Sequence, residues 1–400
     1  MSYSYLLKKY LPVSLGVMIL CGYGLVRVAW KEKSFVWETV SPETQSIDSF
    51  KLHALQEILA SRGTKGFLVI RHDRVICEGY SSGYGPTQKH YTAGLAGSLV
   101  GGLSTLIALM DRRIKLDDRA WKYIPGWKDD PLRSRITIRH LATHSSGIEP
   151  AETDGKSHEE LTGWKAAFWK RGPELFGIAL NEAPVVSLPG TKFAYSAPGS
   201  AALAYAITAS LKDGPQRDIR TLLKERIMEP LGVPESEWSI GYGEAHEMDG
   251  TKLYAIWGGG AYSTRAVARV GQLILQKGRW GDRQLLDSVW LEKTLSYAGT
   301  PLPDRSSGDP VPGPGIGWRT NFDGVWPSVP RDAVIGAGAG NQILLVIPSR
   351  DLVVVRFGES LGDASEGEGS WRGIQKYLLI PLMDAVVPSH QTKRSSPEVG

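Results

Sequence analysis

Apolar positions along this 400-residue chain form short dense runs near both ends and helical spacing elsewhere. Leu52, Leu55, Ile58 and Leu59 recur on one side of a helix expected over Ile47–Ser61, which Arg62-Gly63 closes. Gly66–Ile70 is a continuous apolar run and Arg74–Tyr80 a mixed one. With Arg71-His72-Asp73 between them, they predict a β-hairpin. Gln342–Ile347 and Leu352–Phe357 flank Pro348-Ser349-Arg350-Asp351 and predict a second hairpin with β-branched strands. A long helix is expected from Leu95 to Arg113, strongest over Leu106–Met110, and an amphipathic helix from Trp371 to Val387. Strands at both ends predict one mostly antiparallel sheet flanked by helices, an α/β fold of the α+β kind. Residues 120–250 are rich in helix and loop signals and predict a helical lobe, while Pro301–Pro314 reads as a surface loop.

One apolar run fits none of these elements. Tyr10 to Val26 is preceded by Lys8 and Lys9 and followed by Arg27, Lys31 and Lys33. It reads as a membrane anchor or a signal peptide within residues 1–33, ahead of a linker at 34–46. Bulky Leu20 argues against lipid attachment at Cys21. The remaining plan is a main domain at 47–387 and a tail at 388–400. This arrangement predicts an extracytoplasmic protein, periplasmic or at the cell surface, held to the membrane through its N-terminal segment or secreted.

Composition narrows the picture only a little. The chain is 42% hydrophobic and 22% charged, which is ordinary for a globular protein. A net charge of +4, with no basic block interleaved with aromatics, argues against a nucleic-acid partner. Cys21 and Cys77 cannot make a disulfide framework.

The motifs are more specific. Lys115-Leu116-Asp117-Asp118, Tyr123-Ile124-Pro125 and Ile136 to Gly147 (Ile-Thr-Ile-Arg-His-Leu-Ala-Thr-His-Ser-Ser-Gly) occur in succession. Pro189 to Ser196, Glu229-Pro230-Leu231-Gly232 and Gly258 to Arg265 follow. In this order they resemble the β-lactamase-related serine hydrolases. That family includes class C β-lactamases, D-Ala-D-Ala carboxypeptidases, esterases and 6-aminohexanoate-dimer hydrolases. The resemblance covers about residues 50–385 and implies a β-lactamase/penicillin-binding-protein-like fold. It also implies acyl transfer by a Ser-x-x-Lys motif at a helix start, where backbone N–H groups favour developing negative charge. A tyrosine of a Tyr-x-Asn motif and a Lys- or His-containing segment on a later strand complete the expected site.

This chain departs from that pattern where the chemistry sits. The nucleophile position is Gly94 and the lysine position is Gly97. The tyrosine is present as Tyr195, but the asparagine position is Ala197. The later segment corresponds to Gly336–Asn341, with Gly338, Gly340 and Asn341 expected at the pocket and no Lys or His among them. Glycine can neither attack a carbonyl nor accept a proton, so the resemblance implies a hydrolase scaffold without catalysis. A cleft for a peptide, ester, amide or β-lactam ligand is still expected.

Other residues carry alternative chemistry. Ser98, four residues beyond Gly94, is an alternative nucleophile, but no lysine stands one turn from it. It keeps open an active hydrolase with a displaced nucleophile. A membrane-tethered binding or scaffold protein is the third reading. Tyr195 acting alone would be a poor nucleophile, with a phenol pKa of ~10. His140 and His144 have the spacing of ligands on one helix face, yet no third ligand is evident, so no metal and no cofactor are expected. Gly94, Gly97, Gly101 and Gly102 together could also serve close helix packing. Each nevertheless costs a helix up to ~1 kcal/mol against alanine.

Overall fold

The computed structural model describes residues 36–153, 156–243, 245–363 and 370–387. The expected anchor at 1–33 and tail at 388–400 lie outside the described residues. An eight-stranded sheet organises the rest. In chain order its strands are β1 (Glu38–Thr39), β2 (Thr64–Arg71), β3 (Arg74–Tyr80), β4 (Gly313–Pro314), β5 (Arg319–Thr320), β6 (Val334–Gly338), β7 (Gln342–Ile347) and β8 (Leu352–Gly358). Their spatial order is β1-β3-β2-β8-β7-β6-β5-β4, so the two chain ends meet at the β2–β8 pair, as the patterning predicts. Every pairing is antiparallel except β1 with β3.

The first hairpin turns through His72 and Asp73, with φ of 48° and 60°. Two successive left-handed residues match the right-handed twist of the strands they join. In β7 and β8 every residue is buried, because helices cover both faces of the sheet. Leu344, Val346, Val353 and Val355 face one core, and Ile343, Leu345, Ile347 and Val354 face the other. Helix α1 (Ser49–Ser61), capped by Asp48, which accepts from Lys51 N–H at 3.1 Å, packs on the second face through Leu52, Leu55 and Leu59. Ile58, expected with them, is 37% exposed, since it falls at the edge of the stripe. The closing helix covers the same face as three continuous segments, Trp371–Ile374, Gln375–Leu379 and Ile380–Ala385.

Helix α2 (Ala93–Met110) packs against the first face. By length and composition it could cross a membrane, but 83% of its apolar window is buried in the core. Its first turn is 3₁₀ and Gly97–Gly102 is π-helical, with Leu103 N–H donating back to the Ser98 carbonyl. Helices α3 (Ile138–Ala142), α4 (Ala197–Leu211) and α5 (Thr264–Leu275) share this core, with α3 and α4 in the lobe expected at 120–250.

Two expectations need correction. Residues 36–46, expected as linker, join the fold: Trp37 is buried and Glu38–Thr39 pairs with Arg74–Val75. The 301–314 stretch is more than a surface loop, because it ends in edge strand β4 and brings Val311 and Pro314 to the cleft described next.

Candidate active-site cleft

A cleft of about 240 Å³ opens where α2 begins, between the sheet and the helical lobe. Its floor is the α2 face of Gly94, Gly97, Ser98 and Gly101. One wall comes from Thr143, His144, Phe193 and Tyr195, and another from Gly317, Trp318 and Arg319 with Ala337 of β6. Trp371, at the start of the closing helix, also lines it. The fold therefore brings together Gly94, Gly97, Ser98 and Tyr195, residues that the sequence places on separate segments.

The four glycines of α2 differ in the space beside them. A Cβ at Gly97 would meet nothing within 4 Å. One at Gly94 would make ordinary contacts, 3.4 Å from the Ala337 carbonyl oxygen and 3.9 Å from the Tyr195 hydroxyl. At Gly102, by contrast, a Cβ would lie 2.7 Å from Nε1 of buried Trp318, and at Gly101 it would press on Ile256 at 3.3 Å. Gly317 in turn could carry no Cβ, which would fall 2.5 Å from the Gly102 Cα. Close packing thus accounts for Gly102 and leaves Gly97 without a packing role, while Gly94 and Gly101 fall between, with a Cβ at 3.4 Å from β6 backbone and 3.3 Å from the Ile256 side chain.

Just before Gly94, Ala93 sits in the left-handed region at φ 48°. An alanine there is strained, and such strain persists only where the surroundings impose it. The close approach of β6 is one such constraint: a Cβ at Gly338 would lie 2.5 Å from the Gly94 nitrogen and 2.6 Å from the Leu95 nitrogen.

Tyr195 points into the cleft, 37% exposed, and donates its hydroxyl proton to the Trp257 carbonyl at 3.2 Å. Enclosure raises its phenol well above the ordinary range, and Glu152 acts in the same direction. The phenol is therefore neutral at physiological pH. His144 packs on the Tyr195 ring at 4.5 Å, and its Nδ1 accepts from Ser196 N–H at 3.3 Å. Burial, then the nearby Arg319 charge, lower its pKa to about 3. Ala197 is fully buried as the first residue of α4, whose cap Ser196 accepts from Gly199 N–H at 3.0 Å.

Ser98 donates its hydroxyl proton to the Gly317 carbonyl at 2.8 Å and is 5% exposed. That bond fixes it to the loop wall, in place of the base that a nucleophile needs.

Several expected site residues lie elsewhere. Gly340 and Asn341 do not line the cleft. They form the β6–β7 turn, where the Asn341 side-chain oxygen accepts from Leu361 N–H at 2.7 Å. Both of their carbonyls accept from buried Arg356, at 2.6 and 3.1 Å. Gly338 bears on the site through its approach to Gly94, and the wall residue of this strand is Ala337. His140 and His144 do not share a helix face, because α3 ends at Ala142 and His144 is left-handed at φ 55°. His140 instead accepts from Thr137 N–H at 3.3 Å in a capping box. Among the described residues no group of three or more His, Cys, Asp or Glu is placed to hold a metal.

Arg319 was not foreseen from the sequence. It enters the cleft from β5, the strand beside the segment in which the resemblance places a Lys or His. Its guanidinium lies 4.5 Å over the Phe193 ring. Enclosure lowers its pKa to about 10, leaving it cationic at neutral pH. Nothing in the local pattern of Trp318-Arg319-Thr320 marks it out.

Known proteins match along most of this chain. The family model described as Beta-lactamase matches residues 88–379. The D-alanyl-D-alanine-carboxypeptidase/endopeptidase AmpH of Escherichia coli is 27% identical over 174 residues, 40% of this chain and 42% of that protein. The chain thus spans less than half the length of that curated relative. Among solved structures, one described as a 6-aminohexanoate-dimer hydrolase from Bacillus anthracis superposes with a TM-score of 0.65 at 20% identity, covering 88% of this chain and 87% of that one. A penicillin-binding protein homologue from Caulobacter crescentus gives 0.59 at 16% identity, covering 83% and 98%. At these identities the two structures show the shared fold.

Proposed function

Because the chain belongs to the β-lactamase family of serine hydrolases, we propose that it keeps the family's cleft as a binding site and has lost acyl transfer. The observation that carries this reading is that Gly94 and Gly97 line the cleft, Gly97 with open space beside it, in contrast to the tightly packed Gly102. A Cβ at Gly97 meets nothing within 4 Å and one at Gly94 makes van der Waals contact at 3.4 Å, so a first side-chain carbon is tolerated at both positions. Without a serine and a lysine there, the cleft holds neither an activated nucleophile nor a base beside it. Tyr195 is neutral and Ser98 is bonded to a carbonyl. What remains can enclose a ligand with an ester, amide, peptide or β-lactam group. Tethering through residues 10–26 and an extracytoplasmic location belong to the same proposal.

The test uses the full chain with p-nitrophenyl butyrate and a chromogenic cephalosporin, read by intact-protein mass and colour. Beside it run the double variant Gly94→Ser/Gly97→Lys and the triple variant that adds Ala197→Asn. The natural chain is expected to form no covalent adduct, while a restored variant acylates. An adduct on the unmodified chain would overturn the reading, and loss of that adduct in Ser98→Ala would identify a displaced nucleophile.

A further inference from the structure

The cleft lies at the start of α2, and a second concavity, of about 530 Å³, opens at its end. Gly97 lines the first and Asp111 the second, roughly 20 Å apart along the axis at the usual helical rise. Three segments build this concavity. Asp111, Arg112 and Arg113 follow α2, Leu211 and Gly214 stand at the end of α4, and Arg226 comes from the helical segment Lys224–Met228.

Its charges do not balance. Both Asp111 carboxylate oxygens are taken by one guanidinium, accepting from Arg226 at 2.7 and 3.2 Å. That two-point pair answers itself. Gln216, also on the wall, donates to Glu225 at 2.7 Å. Arg112 and Arg113 make no ion pair and no side-chain hydrogen bond among the described residues. Two guanidinium groups therefore face the same space with their N–H edges open.

Neither arginine is needed to finish the helix. The N–H groups of Asp111, Arg112 and Arg113 already donate to the carbonyls of Ile107, Leu109 and Ala108, at 2.9, 3.1 and 2.9 Å. A helix C-terminus carries only about half a negative charge, less than either cation alone answers. Arg112 is also left-handed, at φ 56°, where glycine is the usual residue and a side chain is strained. Gly214 in turn gives Arg113 room, since a Cβ there would lie 3.0 Å from its guanidinium nitrogen.

We propose that this concavity binds a phosphate group as its dianion, either inorganic phosphate or a phosphate monoester. A carboxylate has two oxygens and one charge and satisfies one fork, as Asp111 does for Arg226. A tetrahedral dianion with three acceptor oxygens answers two forks and two charges. The site is separate from the cleft and stands whether or not the cleft holds a ligand. The phosphate can arrive free in solution or as the headgroup of an anionic lipid.

Calorimetric titration of the full chain at about pH 8, where phosphate monoesters are dianionic, tests it. The probes are inorganic phosphate, short-chain dihexanoylphosphatidic acid, and acetate as a monoanion. Phosphate is expected to bind about tenfold or more tightly than acetate. Arg112→Gly and Arg113→Gln should each weaken phosphate by about tenfold or more. Arg112→Gly is the sharper variant, because glycine suits the left-handed backbone: its urea midpoint should hold or rise while phosphate is lost. Phosphate and the lipid binding alike supports the site with the phosphate group alone as its ligand. Tighter binding of the lipid, or of the lipid alone, supports it and names the source. Binding of neither would overturn the proposal. So would phosphate held no more tightly than acetate, or binding that both variants leave unchanged.

Discussion

Gly97 and Gly102 lie on the same helix and differ in what faces them. Gly97 looks into open cleft, so Gly97→Ala removes the backbone freedom of glycine without a clash. It is expected to stabilise the chain by about 0.5–1 kcal/mol. Gly102→Ala drives a methyl against Trp318 and should destabilise by about 1–3 kcal/mol. Urea unfolding of the two variants checks the pair, and equal effects would remove the distinction on which the functional reading stands. Ser98 illustrates the same principle for polar atoms. Its place on the helix left a displaced nucleophile open as an alternative, and its hydroxyl donates to the Gly317 carbonyl, joining α2 to a loop.

At the scale of elements, the strands around the cleft are held by a buried cation that the sequence does not reveal. Arg356 of β8 donates to the carbonyls of Gly340, Asn341 and Arg62 and to the Thr64 hydroxyl. Burial lowers its pKa to about 9, so it stays charged at neutral pH. It joins the β6–β7 turn to the start of β2, which accounts for Gly340 and Asn341 as parts of the frame. Arg356→Met should leave those carbonyls without a donor and destabilise by about 3 kcal/mol. Denaturant midpoints measure this, and a neutral outcome would mean that water replaces the guanidinium.

For the whole molecule, the enclosed imidazole of His144 ties stability to pH. Its folded pKa of about 3 lies below the ordinary 6.5, so the unfolded chain binds the proton more readily. The resulting contribution is intact above pH 6.5 and is lost progressively as pH falls from there toward 3. Between pH 7 and pH 5 the loss from this residue is at most about 2 kcal/mol. His144→Asn, which tolerates the left-handed backbone, should show a shallower acid loss than the natural chain in urea titrations at the two pH values. Parallel losses in both proteins would place the acid sensitivity elsewhere.

The sequence by itself determined the family, the meeting of the two chain ends in one sheet, and glycine at the two positions where the resemblance expects a serine and a lysine. These rest on local signals: β-branched runs in β7 and β8, the spacing of Leu52, Leu55 and Leu59, and motifs whose order survives in one dimension. Only the tertiary structure decided which glycines are open and which are packed, because Trp318 and Ile256 reach α2 from far along the chain. It alone brought Arg319 to the cleft, moved Asn341 out of it, and drew residues 36–46 and 311–314 into the fold. The physical reason is common to all of these. A strand or a helix is favoured by its own neighbouring residues, whereas the clearance around a Cβ, or the partner of a buried charge, depends on what distant segments place opposite it.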